Sequence, residues 1–142
     1  MAFREKIAWL TLATMLIAYG AYFAVIGPAA DFGQGRMVDI IWSFGLVAAA
    51  QAVAMIVGAV VLAVLARREA QAPADERDRS IARRGASIGY YVLICGMILV
   101  GVVMPFSSPP WKIVNAALAV IVVAEAVHQA TILLSYRRGW HG

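Results

Sequence analysis

"IIWSFGLVAAAQAVAMIVGAVVLAVLA", residues 40–66, runs for 27 residues without one charged side chain. As an α-helix rising 1.5 Å per residue it reaches about 40 Å, more than the roughly 30 Å hydrocarbon core of a bilayer. The stretch therefore reads as a transmembrane helix. Working outward, three more apolar runs of comparable kind appear, at 7–26, 88–104 and 113–136. Hydrophobic residues make up 63% of the chain and charged residues 14%, and the mean hydropathy is +0.80, far above that of a soluble domain. The expectation is an all-α membrane protein: a four-transmembrane-helix bundle filling residues 1–142 as a single integral membrane domain. The first run has the basic start (Arg4, Lys6) and the small-residue finish ("GPAA") of a secretory signal. Its apolar core is too long for one and carries Trp9, Tyr19 and Tyr22, so it is expected to be retained.

Charge gives the orientation. Arg4, Lys6, Arg67, Arg68, Arg77, Arg79, Arg83, Arg84, Arg137 and Arg138 fall on one side of the four spans; Arg36 and Lys112 fall on the other. Under the positive-inside rule this ten-to-two bias predicts both termini and the loop 67–84 in the cytoplasm, with the protein in a bacterial inner membrane. The bilayer is then one partner. Nucleic acid is not expected, because the basic loop alternates arginine with acid ("DERDR") and offers no uncompensated patch.

The halves share an outline. Trp42 precedes the Arg67-Arg68 pair as Trp111 precedes Arg137-Arg138, and the odd-numbered spans carry tyrosines and end near Pro28 or Pro105. Two tandem helical hairpins, both entering from the same side, are expected. In "PFSSPPWK" the prolines should stop the third helix and start the fourth. Cys95 is the one cysteine, so no internal disulfide can form, and it reads as a small buried apolar residue.

The central loop carries "DERDRSIARRGASIGYY", residues 75–91. It reads as a helix that begins in the cytoplasm and continues into the third span. Asp75 can cap the first turn, while Glu76 and Asp78 suit the positive end of the helix dipole. Arg77 and the downstream arginines stand at helical spacing to pair with these acids. Arg83 and Arg84 would sit at headgroup level, where with the acids they could dock a partner or anionic lipid. The acidic cap, the arginines, then a glycine and paired tyrosines opening a span resemble the signature of a family of small, uncharacterised predicted membrane proteins of bacteria and archaea. The resemblance covers about residues 75–99. It implies a compact helical membrane protein engaged with a partner or in regulation, and it brings no catalytic residues.

Lipid supplies no hydrophobic force between helices, so close backbone approach and polar contacts must hold them together. Gly85, Gly89 and Gly96 share one narrow sector of the third helix; Gly45, Ala48, Ala49 and Ala52 form a similar stripe on the second. Both stripes are expected to be tight seams, within the bundle or between copies.

The fourth span contains "VVAEAVHQATILL", residues 122–134. With Glu125 as origin, His128 lies at about −60°, Gln129 at about +40° and Asn115 at about +80°, so the four share one side of the helix. Polar groups in hydrocarbon are costly unless satisfied, and this side should face protein. Counting residues from the basic anchors puts Tyr19 and Cys95 near the level of Glu125, Thr14 and Tyr91 near His128, and Tyr22 level with Gln51. Tyr19 and Tyr22 are the expected hydrogen-bond partners of Glu125 and Gln51.

Four readings meet on this face. One is structural glue that fixes helix register. A second is proton-coupled or cationic-substrate transport through an intramembrane carboxyl, although the small multidrug transporters carry their glutamate in the first span. A third is metal: Glu125 and His128 have the i, i+3 spacing of di-iron carboxylate bundles, but a single chain lacks the second pair and the added carboxylates. The fourth is haem or quinone. His128 is the one histidine in a span, which excludes bis-histidine ligation within one subunit, and His141 reads as a tail residue. No nucleophile with an adjacent base and no phosphate-binding loop appears, so no catalytic residue is assigned. The expectation is a small inner-membrane protein without enzymatic activity of its own and without cofactor, acting as a homo-oligomeric or accessory subunit beside a membrane-protein partner. The alternative is a transporter-like or metal-, haem- or quinone-binding bundle centred on Glu125 and His128.

Overall fold

The computed structural model describes residues 3–26, 37–71, 73 and 75–138. Pro28, Arg36 and His141, used above, lie outside them. Helix α1 is Phe3–Ala21, prolonged by a π-helical turn Tyr22–Ile26; α2 is Met37–Leu65, followed by a one-turn helix Arg67–Ala70; α3 is Glu76–Ile98; and α4 is Pro110–Arg137. All four are long and apolar enough to cross a membrane, and no strand occurs among the described residues.

Local chemistry explains the boundaries. Asp75 stands in extended conformation with its carboxylate accepting the Asp78 amide at 2.7 Å, which satisfies one of the open donors of the first turn of α3. From there the helix runs on unbroken through the arginines into the apolar span. Its far end is set by Pro105, which lacks an N–H and crowds the carbonyl four residues back. The backbone answers by widening into a π-turn over Leu99–Val103, where the Met104 amide reaches back to the Leu99 carbonyl, and then tightening into a 3-10 turn, Met104–Phe106. Pro109 is extended and Pro110 opens α4, where a missing N–H costs nothing.

The helices pack in a row. α2 lies on α1, α1 on α4, and α4 on α3, with α3 and α4 forming the most extensive contact; α2 only brushes α4. α2 and α3 stand at the outer edges of the row with no comparable contact between them among the described residues. The register of each pair is readable from its contacts. Tyr19 stacks on Phe44 at 5.1 Å between ring centroids, Thr11 lies 3.3 Å from the Met55 sulfur, and Leu10 sits against Gly58. Tyr22 meets Asn115 at one end of the molecule, and Arg4 and Tyr136 both meet Asp78 at the other. The starts of α1 and α3 and the ends of α2 and α4 therefore gather at one end.

The two small-residue stripes differ in what they do. On α3, a Cβ added at Gly85 would lie 2.7 Å from Ile132 Cγ1 and 2.9 Å from His128 Cδ2; at Gly89 it would lie 2.9 Å from His128 Cβ and 3.2 Å from the Ala124 carbonyl oxygen; at Gly96 it would strike the Val120 methyls. This is the α3–α4 seam. On α2, Gly45 has nothing within 4 Å, Ala49 and Ala52 are exposed, and Ala48 is half-buried. The glycine that brings α2 onto α1 is Gly58, under Leu10. Of the two places expected for this seam, within the bundle or between copies, Gly45 makes no contact in the first: small residues on two faces of an apolar helix look alike in sequence, and only the contact distinguishes them.

Candidate functional site

The polar groups of α4 follow its length and split between two neighbours. At the outer end Asn115 accepts a long hydrogen bond from the Tyr22 hydroxyl at 3.4 Å. Tyr22 is fully buried and meets Phe23 and Phe44 edge-on at 5.0 and 5.2 Å. An aromatic cluster with one polar tip thus ties α1, α2 and α4 together.

Deeper in the helix, Glu125 Oε1 accepts from Gln129 Nε2 at 2.7 Å, and Glu125 Oε2 lies 3.4 Å from His128 Nδ1. Both contacts lie within one helix, at i+3 and i+4 spacing. The outcome for the side chains is unequal. The His128 side chain is 27% exposed and packs its ring and Cβ against Gly85 and Gly89, whereas the Glu125 side chain keeps 45% of its surface free. Glu125 and His128 form part of the wall of a groove of about 370 Å³ between α3 and α4, shared with Ala86, Tyr90, Leu93 and Ile121. Gln129 turns instead to a neighbouring crevice between α1, α3 and α4.

Several expected pairings are corrected here. Tyr19 and Tyr22 are not the partners of Glu125 and Gln51: Tyr19 stacks on Phe44 and Tyr22 bonds Asn115. Gln51 is half-buried on α2, a helix that packs mainly on α1 and only lightly on the helix of Glu125. Thr14 bonds the carbonyls of Leu10 and Thr11 in its own helix. Tyr91 faces a different groove, with Cys95, Gly96 and Val120, and Cys95 is exposed rather than buried. The levels also shift. Because Gly89 lies against Ala124 and His128, the residue of α3 level with Glu125 is Tyr90, not Cys95. Counting inward from Arg84 misplaced it, since Asp78 is the residue level with Tyr136 and Arg84 stands six positions farther along α3 (84 − 78).

The second cluster was not foreseen. Asp78 Oδ1 accepts the Tyr136 hydroxyl at 2.6 Å, and Asp78 Oδ2 lies 3.2 Å from Arg4 Nε. One carboxylate therefore joins α1, α3 and α4, with partners from other helices beside the arginines of its own loop. The Arg137 guanidinium covers the Trp9 ring at 5.0 Å and adds a cation–π contact between α4 and α1. Around Asp78 lies a crevice of about 350 Å³ walled by Arg4, Ile7, Thr11, Ile81, Gln129 and Tyr136. The signal was present in "DERD", but a tyrosine 58 positions away leaves no spacing rule to find it. Glu76, Arg83 and Arg84 are exposed on α3, and Arg77 is half-buried.

Chemically, the α4 face offers one carboxylate with open acceptor sites, one imidazole held by the seam and one amide. Among the described residues, no group of three or more His, Cys, Asp or Glu side chains is placed to hold a metal ion. No protein-family model, no curated protein and no solved structure matches this chain.

Proposed function

We propose that this is an oligomeric or accessory subunit of a bacterial inner membrane, with both termini and the loop 67–84 in the cytoplasm, its helices forming two tandem hairpins. Its task is to engage another membrane protein, or another copy of itself, through faces that its own fold leaves uncovered. The observation that carries this reading is Glu125. A carboxylate nearly half exposed inside a span is costly against acyl chains and calls for a partner that supplies donors. α2 adds apolar area: its most hydrophobic window has none of its residues buried. The gathering of Arg4, Arg77, Arg79 and Arg137 around the Asp78 end agrees with a cytoplasmic face there. The likeness to small bacterial and archaeal membrane proteins with the acidic, arginine-rich motif points the same way.

The test replaces Glu125 by Gln and His128 by Ala in the full chain, and reads assembly by chemical cross-linking in native membranes. An optical spectrum and metal analysis of the purified protein accompany it. Folded variants with weakened assembly support the subunit reading. Unchanged assembly together with loss of a bound chromophore or of proton-coupled uptake would favour the transporter-like or cofactor-binding alternative instead.

A further inference from the structure

The groove that holds Glu125 has a second feature pointing to an occupant. Tyr90 stands on its opposite wall, 58% exposed, and the packing of Gly89 on Ala124 and His128 sets Tyr90 level with Glu125. A phenol hydroxyl and a carboxylate, both open, thus face outward at one depth of the membrane, one on α3 and one on α4. Tyr can donate a hydrogen bond, and a carboxylate offers about four acceptor positions. Gln129 and His128 approach Glu125 from within α4 and leave part of that capacity free.

Two copies inserted the same way round are related by a two-fold axis along the membrane normal, which preserves depth. Such an axis makes any patch meet itself, so a useful patch must carry donor and acceptor at matching levels. This groove does. We propose that a second copy of the chain occupies it, with the Tyr90 hydroxyl of each protomer donating to the Glu125 carboxylate of the other. The small, exposed Ala86 on the α3 wall allows a neighbouring helix to come close. The inference rests on the subunit reading above and names its partner and contact.

The experiment uses the full chain in nanodiscs, with Cys95 replaced by Ser and single cysteines introduced in turn at Ala86, beside the groove, and at Ala52, exposed on α2. Oxidative cross-linking should yield dimer from Ala86→Cys and not from Ala52→Cys. Separately, Tyr90→Phe removes two symmetric bonds, and at the strength usual for interhelical hydrogen bonds in membranes it should weaken dimerisation about eightfold. Glu125→Ala should weaken it similarly, the double variant no further than either single one, and Tyr91→Phe not at all. A dimer that cross-links through Ala52 overturns the groove contact and leaves the subunit reading standing. So does a dimer insensitive to Tyr90→Phe. A chain that stays monomeric at every protein-to-lipid ratio overturns the groove contact, and self-association with it. Ala86→Cys alters no hydrogen-bonding group, so its result stands even where a polar variant misfolds.

Discussion

Replacing Gly89 by alanine sets two effects against each other. Alanine is the better helix former by up to about 1 kcal/mol, a gain that requires only that the new methyl fit. At Gly89 it does not fit. The added carbon would lie 2.9 Å from His128 Cβ and 3.2 Å from the Ala124 carbonyl oxygen, against ordinary contacts of about 3.5–4.0 Å. Neither obstacle can rotate away, one being a Cβ and the other backbone. α3 and α4 must therefore separate by roughly 0.6–1 Å, and overpacking of that kind costs about 1–3 kcal/mol. Gly45, with nothing within 4 Å, supplies the control, since alanine there brings the propensity gain alone. Both variants are unfolded by detergent titration in mixed micelles and followed by circular dichroism. The gap between them isolates the packing cost. Gly89→Ala should unfold earlier than the parent chain and Gly45→Ala at the same point or later. Equal midpoints for the two variants would refute the α3–α4 seam.

At the other cluster, Tyr136→Phe removes a short bond to a mostly buried carboxylate and should cost about 1–2 kcal/mol, whereas Arg4→Gln, half exposed, should cost about 0.5 kcal/mol or less. Detergent titration that reverses this order would show that Asp78 serves Arg4 first. Asp75→Ala should lose about 1 kcal/mol through the vacated cap, and Asp75→Asn, which can still accept from the Asp78 amide, a small fraction of that; amide exchange over residues 76–79 reads the effect directly. For topology, single cysteines at Ser107 and Gln71 should react with a membrane-impermeant maleimide from opposite sides, with the position at Gln71 labelled only after the cytoplasmic face is opened.

The four spans were legible because a bilayer asks for one thing, a long uncharged helix, and residues 40–66 supply it outright. The continuous α3 was legible for a related reason: Asp75 and the acids after it are local signals, read within one turn. Side-by-side packing was harder. The glycines of α3 and the glycine and alanines of α2 present the same surface chemistry, and no hydrophobic gradient separates a buried face from one bathed in lipid. Depth failed where arginine was used as a ruler. Its long stem lets the charge reach water from well inside the span, so Arg84 and Arg137 mark different levels. The polar side of α4 was visible from its angular clustering, but its partners were not, because the contacts Glu125 makes run along its own helix and leave its remaining acceptor positions facing outward.

The order of the row carries a consequence for biogenesis. α4 is the element that bridges α1 and α3, and it emerges from the ribosome after both. Until it inserts, α1 packs along α2 and meets α3 near Asp78, while the glycine face of α3 has no helix against it. A nascent chain stalled before residue 110 would hold α3 to the first two helices only through the connecting loop and the Arg4–Asp78 ion pair, with its glycine seam uncovered.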